Sequence, residues 1–391
     1  MKIKFQLTTC LLWWMGCIVI GTMPNQAAWS QTSVDKKIAA DDRFAPADLQ
    51  EDLAELKKQL EKYHADLYRF TSPERFQAVY DSLAATITEP MEAIGFFKAV
   101  AFLVAQTRER HTKLAFAAED SLSKITRVFK QGAKVLPVSL AFLSQKPYIF
   151  VHATADTNLR TGAEIISING EPMSQIVAKI KPYINADGFV QTSKYKDLDN
   201  LFDKYYYWFV AQPDSFTLEV RNIDKSLYTT TFAAAPTDSI GKILSRRYKD
   251  FLVRNRQMNQ HAHFSMLPSS NTALLSLESF TFPDKKEFNY EAFLAKSFEQ
   301  MRAFDIKNLV IDLRGNQGGK LKNMYILLSY LLFESKKLKL MDNSRCSTTE
   351  QRSIYAFKRQ KDYFKGKICL LVGGRTYSAA SMATALLKEY R

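Results

Sequence analysis

A serine that opens a helix next to a glycine pair could act as a nucleophile, and Ser378 is such a residue. The apolar run Ile368 to Val372, bounded by Gly366 and Gly373, has the pattern of a buried strand. Ala379 to Tyr390 is rich in Ala, Leu and Met without Gly or Pro, which predicts a helix. Gly373, Gly374 and Arg375 to Ser378 must then form a tight strand-to-helix turn. At a helix start the backbone N–H groups are unpaired and the dipole is positive, which favours negative charge developing on a neighbouring oxygen. The simpler reading of this stretch alone is an N-cap, worth about 1 kcal/mol.

The remaining chain decides what surrounds that turn. Its 391 residues suffice for two or three domains with hydrophobic cores, and 46% hydrophobic against 24% charged residues argues against disorder. Lys2 and Lys4 precede an uncharged stretch densest in apolar residues from Leu11 to Ile20, followed by Ala27, Ala28 and Ser30. This order predicts a secretory signal peptide over residues 1–30; the apolar core is shorter than the ~20 residues of a spanning helix. Export to the periplasm, cell surface or medium is the expectation. Removing the signal leaves Cys346 and Cys369, read as two buried free thiols. The formal charge of +14 points to loose attraction to anionic membrane surfaces rather than to nucleic acid, which an exported protein rarely meets.

Residues 31–117 are expected to be helical. Leu49, Leu53, Leu56 and Leu60 recur at helical spacing, Thr71 or Ser72 caps a second helix that has Pro73 in its first turn, and a third runs from about Met91 to Thr107. Residues 118–225 turn to strand patterns, with the aromatic run from Phe202 to Phe209 read as a packed element, and 226–265 read as a polar, basic connector. Gly162 to Gly170 resembles the strand and Asn-Gly turn of PDZ-like domains. In residues 266–391, strands at Thr272–Leu277, 307–313 and 368–372 alternate with helices, the pattern of βαβ units in a helix-covered sheet.

Three separated motifs resemble the tail-specific, or C-terminal processing, serine proteases, which have a crotonase-like core. Leu309 to Gly319 contains Asp312-Leu313-Arg314 and ends in Gly318-Gly319. Thr376 to Ala380 resembles the family's nucleophile turn, and the helical start with Tyr63-His64 and the PDZ-like insert follow the family order. The fold class implied is α/β, or α+β multidomain: a helical N-terminal region, a PDZ-like β-rich domain and an incomplete crotonase-like core. The resemblance implies Ser378 as nucleophile and His111 as general base, with oxyanion donors from the N–H of Ala379 and of Gly318 or Gly319, where absent side chains admit close approach. His64 is assigned a structural role. No cofactor or metal is implied, and the partner is a peptide or protein substrate.

The sequence departs from the family pattern after the nucleophile. The lysine base of some members, and the acid partner of a histidine base in others, are expected beyond Arg391. Lys388 lies about 15 Å along the helix from Ser378, too far to replace that lysine. Ser381 stands where members usually carry Glu. The chain is therefore expected to be an incomplete version of a longer protein. The expected activity is peptide-bond hydrolysis through an acyl-enzyme on Ser378. The alternatives are a peptide-binding homologue or fragment lacking its base, or a basic envelope-surface protein.

Overall fold

The computed structural model describes residues 6–9, 43–115, 128–251, 261–334, 336–339 and 354–391. Apart from residues 6–9, which pair antiparallel with Thr112–Ala115, the segment read as a signal peptide lies outside the described residues, as does Cys346.

Helices α1 (Pro46–Tyr63), α2 (Pro73–Thr86) and α3 (Ala93–Ala105) form the N-terminal region. Leu49, Leu53, Leu56 and Leu60 of α1 are buried on one face, as their spacing requires. Ser72 caps α2 by accepting the Arg75 N–H at 3.2 Å. The third helix starts later than the sequence predicts: Met91–Glu92 is extended and pairs with Arg43–Phe44.

A sheet follows, with strands β1 (Val138–Leu143), β2 (Lys146–His152), β3 (Glu164–Ile168), β4 (Ser215–Arg221) and β5 (Leu227–Ala233) in the order β5-β4-β3-β2-β1. Helices α4 (Met173–Ile180) and α5 (Thr192–Phe209) lie between β3 and β4 in sequence. The aromatic run is thus the end of a packed helix, with Phe202, Tyr206, Trp208 and Phe209 buried. Strand β5 corrects the sequence reading: it falls in the expected connector, yet pairs with β4 along seven residues, and helix α6 (Thr237–Arg247) follows it. The N-terminal helices and this sheet share one continuous hydrophobic core rather than forming two.

The C-terminal part has its own core. Strands β6 (Ala262–Leu267), β7 (Thr272–Leu277), β8 (Asn308–Asp312) and β9 (Lys367–Leu371) lie side by side in that order. The pairs β7–β8 and β8–β9 are parallel, each crossover carrying a helix: α7 (Tyr290–Ala303), N-capped by Asn289, and α8 (Leu321–Leu331). Helix α9 (Ala379–Tyr390) follows β9 with the bounds read from sequence. Cys369 is a free thiol but exposed, correcting the expected burial, because β9 is the outermost strand of its sheet among the described residues.

No helix among the described residues is long and apolar enough to cross a membrane. Among them, no group of three or more His, Cys, Asp or Glu is placed to hold a metal ion.

Candidate active site

Ser378 sits between β9 and α9 with φ 53° and ψ −125°, and its side chain makes no capping hydrogen bond. The cap reading is therefore wrong. A non-glycine residue in this backbone region costs about 1–3 kcal/mol and persists only where its surroundings hold it. Here they do. Thr376 donates its hydroxyl to Leu313 O at 2.7 Å and accepts the Gly373 N–H at 2.9 Å. The Tyr377 N–H donates to Asn316 O at 3.0 Å. Asn316 is wholly buried, and its amide donates to Leu277 O at 3.0 Å and accepts the Gly318 N–H at 2.8 Å. Through its side chain and its backbone carbonyl, this one residue ties the end of β7, the glycine turn after β8 and the serine turn together. The strand-to-helix turn with a strained serine at its tip has the form of a nucleophile elbow.

The hydroxyl of Ser378 meets His111 Nε2 at 3.3 Å, across 267 residues of sequence. This distance is somewhat long for a hydrogen bond, as nucleophile–base pairs often are before substrate binds. The other ring nitrogen, Nδ1, lies 2.7 Å from Glu109 Oε1. The acid partner expected beyond Arg391 thus has a counterpart two residues before the histidine. Glu109 Oε1 also accepts the His111 N–H at 2.9 Å, and Oε2 accepts both the N–H and the hydroxyl of Thr112, each at 2.9 Å. With Nδ1 donating to the carboxylate, Nε2 is left as the acceptor for the serine proton. The Tyr377 ring lies 4.5 Å from the imidazole, centroid to centroid, covering one of its faces.

The loop carrying this histidine is held from three sides. The Asn185 amide nitrogen lies 2.8 Å from Glu109 O and 3.0 Å from Thr112 O. Asp187 accepts the Arg110 N–H at 2.8 Å, and the Arg110 side chain pairs with Asp197 on α5 at 2.6 Å. Burial pushes the Glu109 carboxyl up, but hydrogen bonding and charge from His111, with Thr112, outweigh it and hold the group below the ordinary carboxylate value. Burial, opposed by the Arg110 N–H and reinforced by Glu109, lifts Asp187 above its ordinary value. For an acid raised on folding, ionisation weakens the fold at pH above the folded pKa and costs nothing below the unfolded one. Asp187→Asn keeps an acceptor for Arg110 and is expected to raise stability at pH 7. That gain should vanish well below the ordinary carboxylate range, which urea denaturation at the two pH values measures.

The glycine turn supplies the remaining groups. Gly318 (φ +93°) packs against the nucleophile: a Cβ there would lie 2.6 Å from Ser378 Cβ and 2.9 Å from Ala379 N. Its N–H is taken by Asn316, which corrects its candidacy as an oxyanion donor. Gly319 forms a parallel bridge with Phe280, in which Phe280 bonds Gly318 O and the Lys320 N–H and leaves the Gly319 N–H outside the ladder. Ala379, first in its helix, has an N–H with no intrahelical acceptor. His64 is buried and accepts the Asp66 N–H at Nδ1, as suits a structural residue. Burial lowers its pKa, opposed by the nearby charge of Glu109. Lys388 is exposed on α9.

Sequence reasoning missed Glu109, Asn185 and Asn316. The carboxylate two positions before His111 and the Thr after it were the available signal for the first. The other two act through contacts distant in sequence.

Residues 271–391 match Peptidase family S41. The fold is similar to that of mature CPAF complexed with lactacystin, at 12% identity and TM-score 0.60 over 88% of this chain and 83% of that one. A second structure of mature CPAF gives 12% and 0.59, covering 88% and 82%. The photosystem II D1 C-terminal processing protease gives 14% identity and a TM-score of 0.38 over 87% of this chain and 78% of that one. At these identities the CPAF likeness shows the fold. No curated protein sequence matches the chain.

Proposed function

With a peptidase family S41 domain over residues 271–391 as the premise, we propose that this chain is a serine-type endopeptidase of the tail-specific kind. It hydrolyses peptide bonds through an acyl-enzyme on Ser378. The observation that carries the reading is the meeting of Ser378 Oγ with His111 Nε2, by a serine turned out of its capping role. The serine oxygen attacks the peptide carbonyl as its proton passes to His111 Nε2. The N–H groups of Ala379 and Gly319 stabilise the tetrahedral oxyanion, each such donor being worth about 10²–10³ in rate. The imidazolium then protonates the leaving amine, and water, deprotonated by His111, releases the acid product.

The signal-like residues 1–30 support action outside the cytoplasm, and the basic charge supports loose association with anionic surfaces. A serine-directed fluorophosphonate tests the reading. The expected result is a single adduct mapped by mass spectrometry to Ser378, with hydrolysis of an unfolded casein substrate blocked in proportion. Folded protein that takes no adduct, or takes it at another residue, overturns it. Lactacystin, the compound bound in the CPAF structure, is a second probe for competition with the phosphonate.

A further inference from the structure

We infer that Glu109 is the positioning acid of this site, supplied from the histidine's own loop, and that it fixes the His111 tautomer and stabilises the imidazolium formed during acylation. This rests on the peptidase reading and goes beyond it in naming the third member.

Both carboxylate oxygens are directed by the loop itself. Oε1 takes the His111 N–H at 2.9 Å and faces Nδ1 at 2.7 Å, while Oε2 is held by Thr112 through two bonds of 2.9 Å. A carboxylate fixed by three other donors cannot swing away from the ring without breaking them. The backbone carrying it is fixed in turn by Asn185, and the neighbouring Arg110 points away into its pair with Asp197. The Arg110 guanidinium therefore does not compete with His111 for Glu109. The charged groups around this carboxylate are His111 itself, Asp187 and His64.

The chemistry follows from the connectivity. Nδ1–H donates to Glu109, so Nε2 presents its lone pair to the serine O–H. When Ser378 Oγ bonds to the carbonyl carbon, its proton moves to Nε2, and the resulting positive charge lies beside a carboxylate that stays ionised. The proton later leaves Nε2 for the amine, and Glu109 gains and loses none. Without the carboxylate the ring is free to carry its proton on Nε2, the tautomer that cannot accept from serine. In a well-studied serine protease, that change alone lowers turnover about ten-thousand-fold.

The test measures the fluorophosphonate labelling rate against pH for wild type, Glu109→Gln, Glu109→Asp and Thr112→Val, with melting curves and imidazole ¹⁵N spectra for each. Glu109→Gln is expected to label about a hundred- to ten-thousand-fold more slowly. The acid limb of its profile should move to lower pH, and the Nδ1–H signal of the wild type should be lost. Glu109→Asp, which keeps the charge, should recover part of the rate. Thr112→Val removes a donor to the same carboxylate, so it reports what loop stability alone is worth. It should lose less and leave the acid limb in place.

Glu109→Gln labelling at the wild-type rate overturns the inference. So does a loss shared equally by Glu109→Gln and Thr112→Val with the acid limb unmoved, because a merely structural role gives that pattern. Should Glu109→Gln not fold, the comparison of Glu109→Asp with Thr112→Val decides by the same criteria. A silent His111→Ala beside a fully active Glu109→Gln would remove this inference alone, whereas labelling that persists in Ser378→Ala would remove the peptidase reading itself.

Discussion

Ser378→Ala is expected to lower peptide hydrolysis by up to about a million-fold, and His111→Ala by nearly as much, with the double variant no slower than the worse of the two. Members of one relay are not additive, because the base has nothing to deprotonate once the hydroxyl is gone. Residual catalysis above the uncatalysed rate, about 10³-fold, should survive in all three through the N–H groups of Ala379 and Gly319. Single-turnover kinetics on a chromogenic peptide ester would resolve it; independent multiplicative losses would break the relay.

Stability should respond to the same position in another way. Ser378 holds φ 53°, and alanine inherits that strain, while glycine relieves about 1–3 kcal/mol against an entropy cost of about 0.5–1 kcal/mol. Ser378→Gly is therefore expected to be inactive yet about 1 kcal/mol more stable than Ser378→Ala. At an ordinary helix start that order would not hold, so a urea midpoint lower for the glycine variant would show that no strain is stored there.

How far this site could be read in the sequence depends on how local its causes are. The strand, glycine pair and helix around Ser378 follow from neighbouring residues, and α9 begins and ends where its composition predicts. Whether the serine caps or is turned outward is settled by Asn316 and Leu313, each more than sixty positions away, so the local reading could favour only the commoner outcome. Glu109 was in plain view, but an acid two residues before a histidine can reach the ring only if the chain doubles back. The groups that make it do so are Asn185 and Asp187, over seventy residues later. Strand β5 was hidden by its own composition. Its residues alternate between exposed and half-buried with none buried, and hydroxyl pairing such as Thr217 with Thr231 at 2.8 Å replaces the apolar signal. Cys369 shows the converse: its strand is apolar, yet it lies outermost in its sheet among the described residues and the thiol is exposed. The family likeness supplied His111 and the glycines, while the contact of Glu109 with the imidazole came from geometry.

Gly318→Ala is expected to damage both the site and the fold. The new Cβ would sit 2.6 Å from Ser378 Cβ, 2.8 Å from Tyr377 O and 2.9 Å from Ala379 N. Two of those atoms are backbone and the third is the root of the nucleophile, so no flexible side chain can yield. The φ of +93° adds strain for any residue with a Cβ, about 1–2 kcal/mol from the carbonyl clash alone. Relief requires either the glycine turn or the serine turn to retreat. The first breaks the Gly318–Asn316 and Phe280–Gly318 bonds, and the second draws Ser378 off His111 and Ala379 off the oxyanion position. A displacement of 1 Å costs about a hundred-fold in rate, so labelling should fall at least that far, together with a stability loss above about 2 kcal/mol. Gly373→Ala, in the adjoining serine turn, is the control. Its Cβ would meet nothing closer than Arg314 O at 3.4 Å, an ordinary contact. That variant should stay within about 1 kcal/mol of wild type and label normally. Equal behaviour of the two would mean that turn glycines matter here only for flexibility. A large difference would locate the requirement in the approach of Gly318 to Ser378, where one backbone must pass close enough to another for the hydroxyl, the imidazole and the N–H groups to surround a single carbonyl.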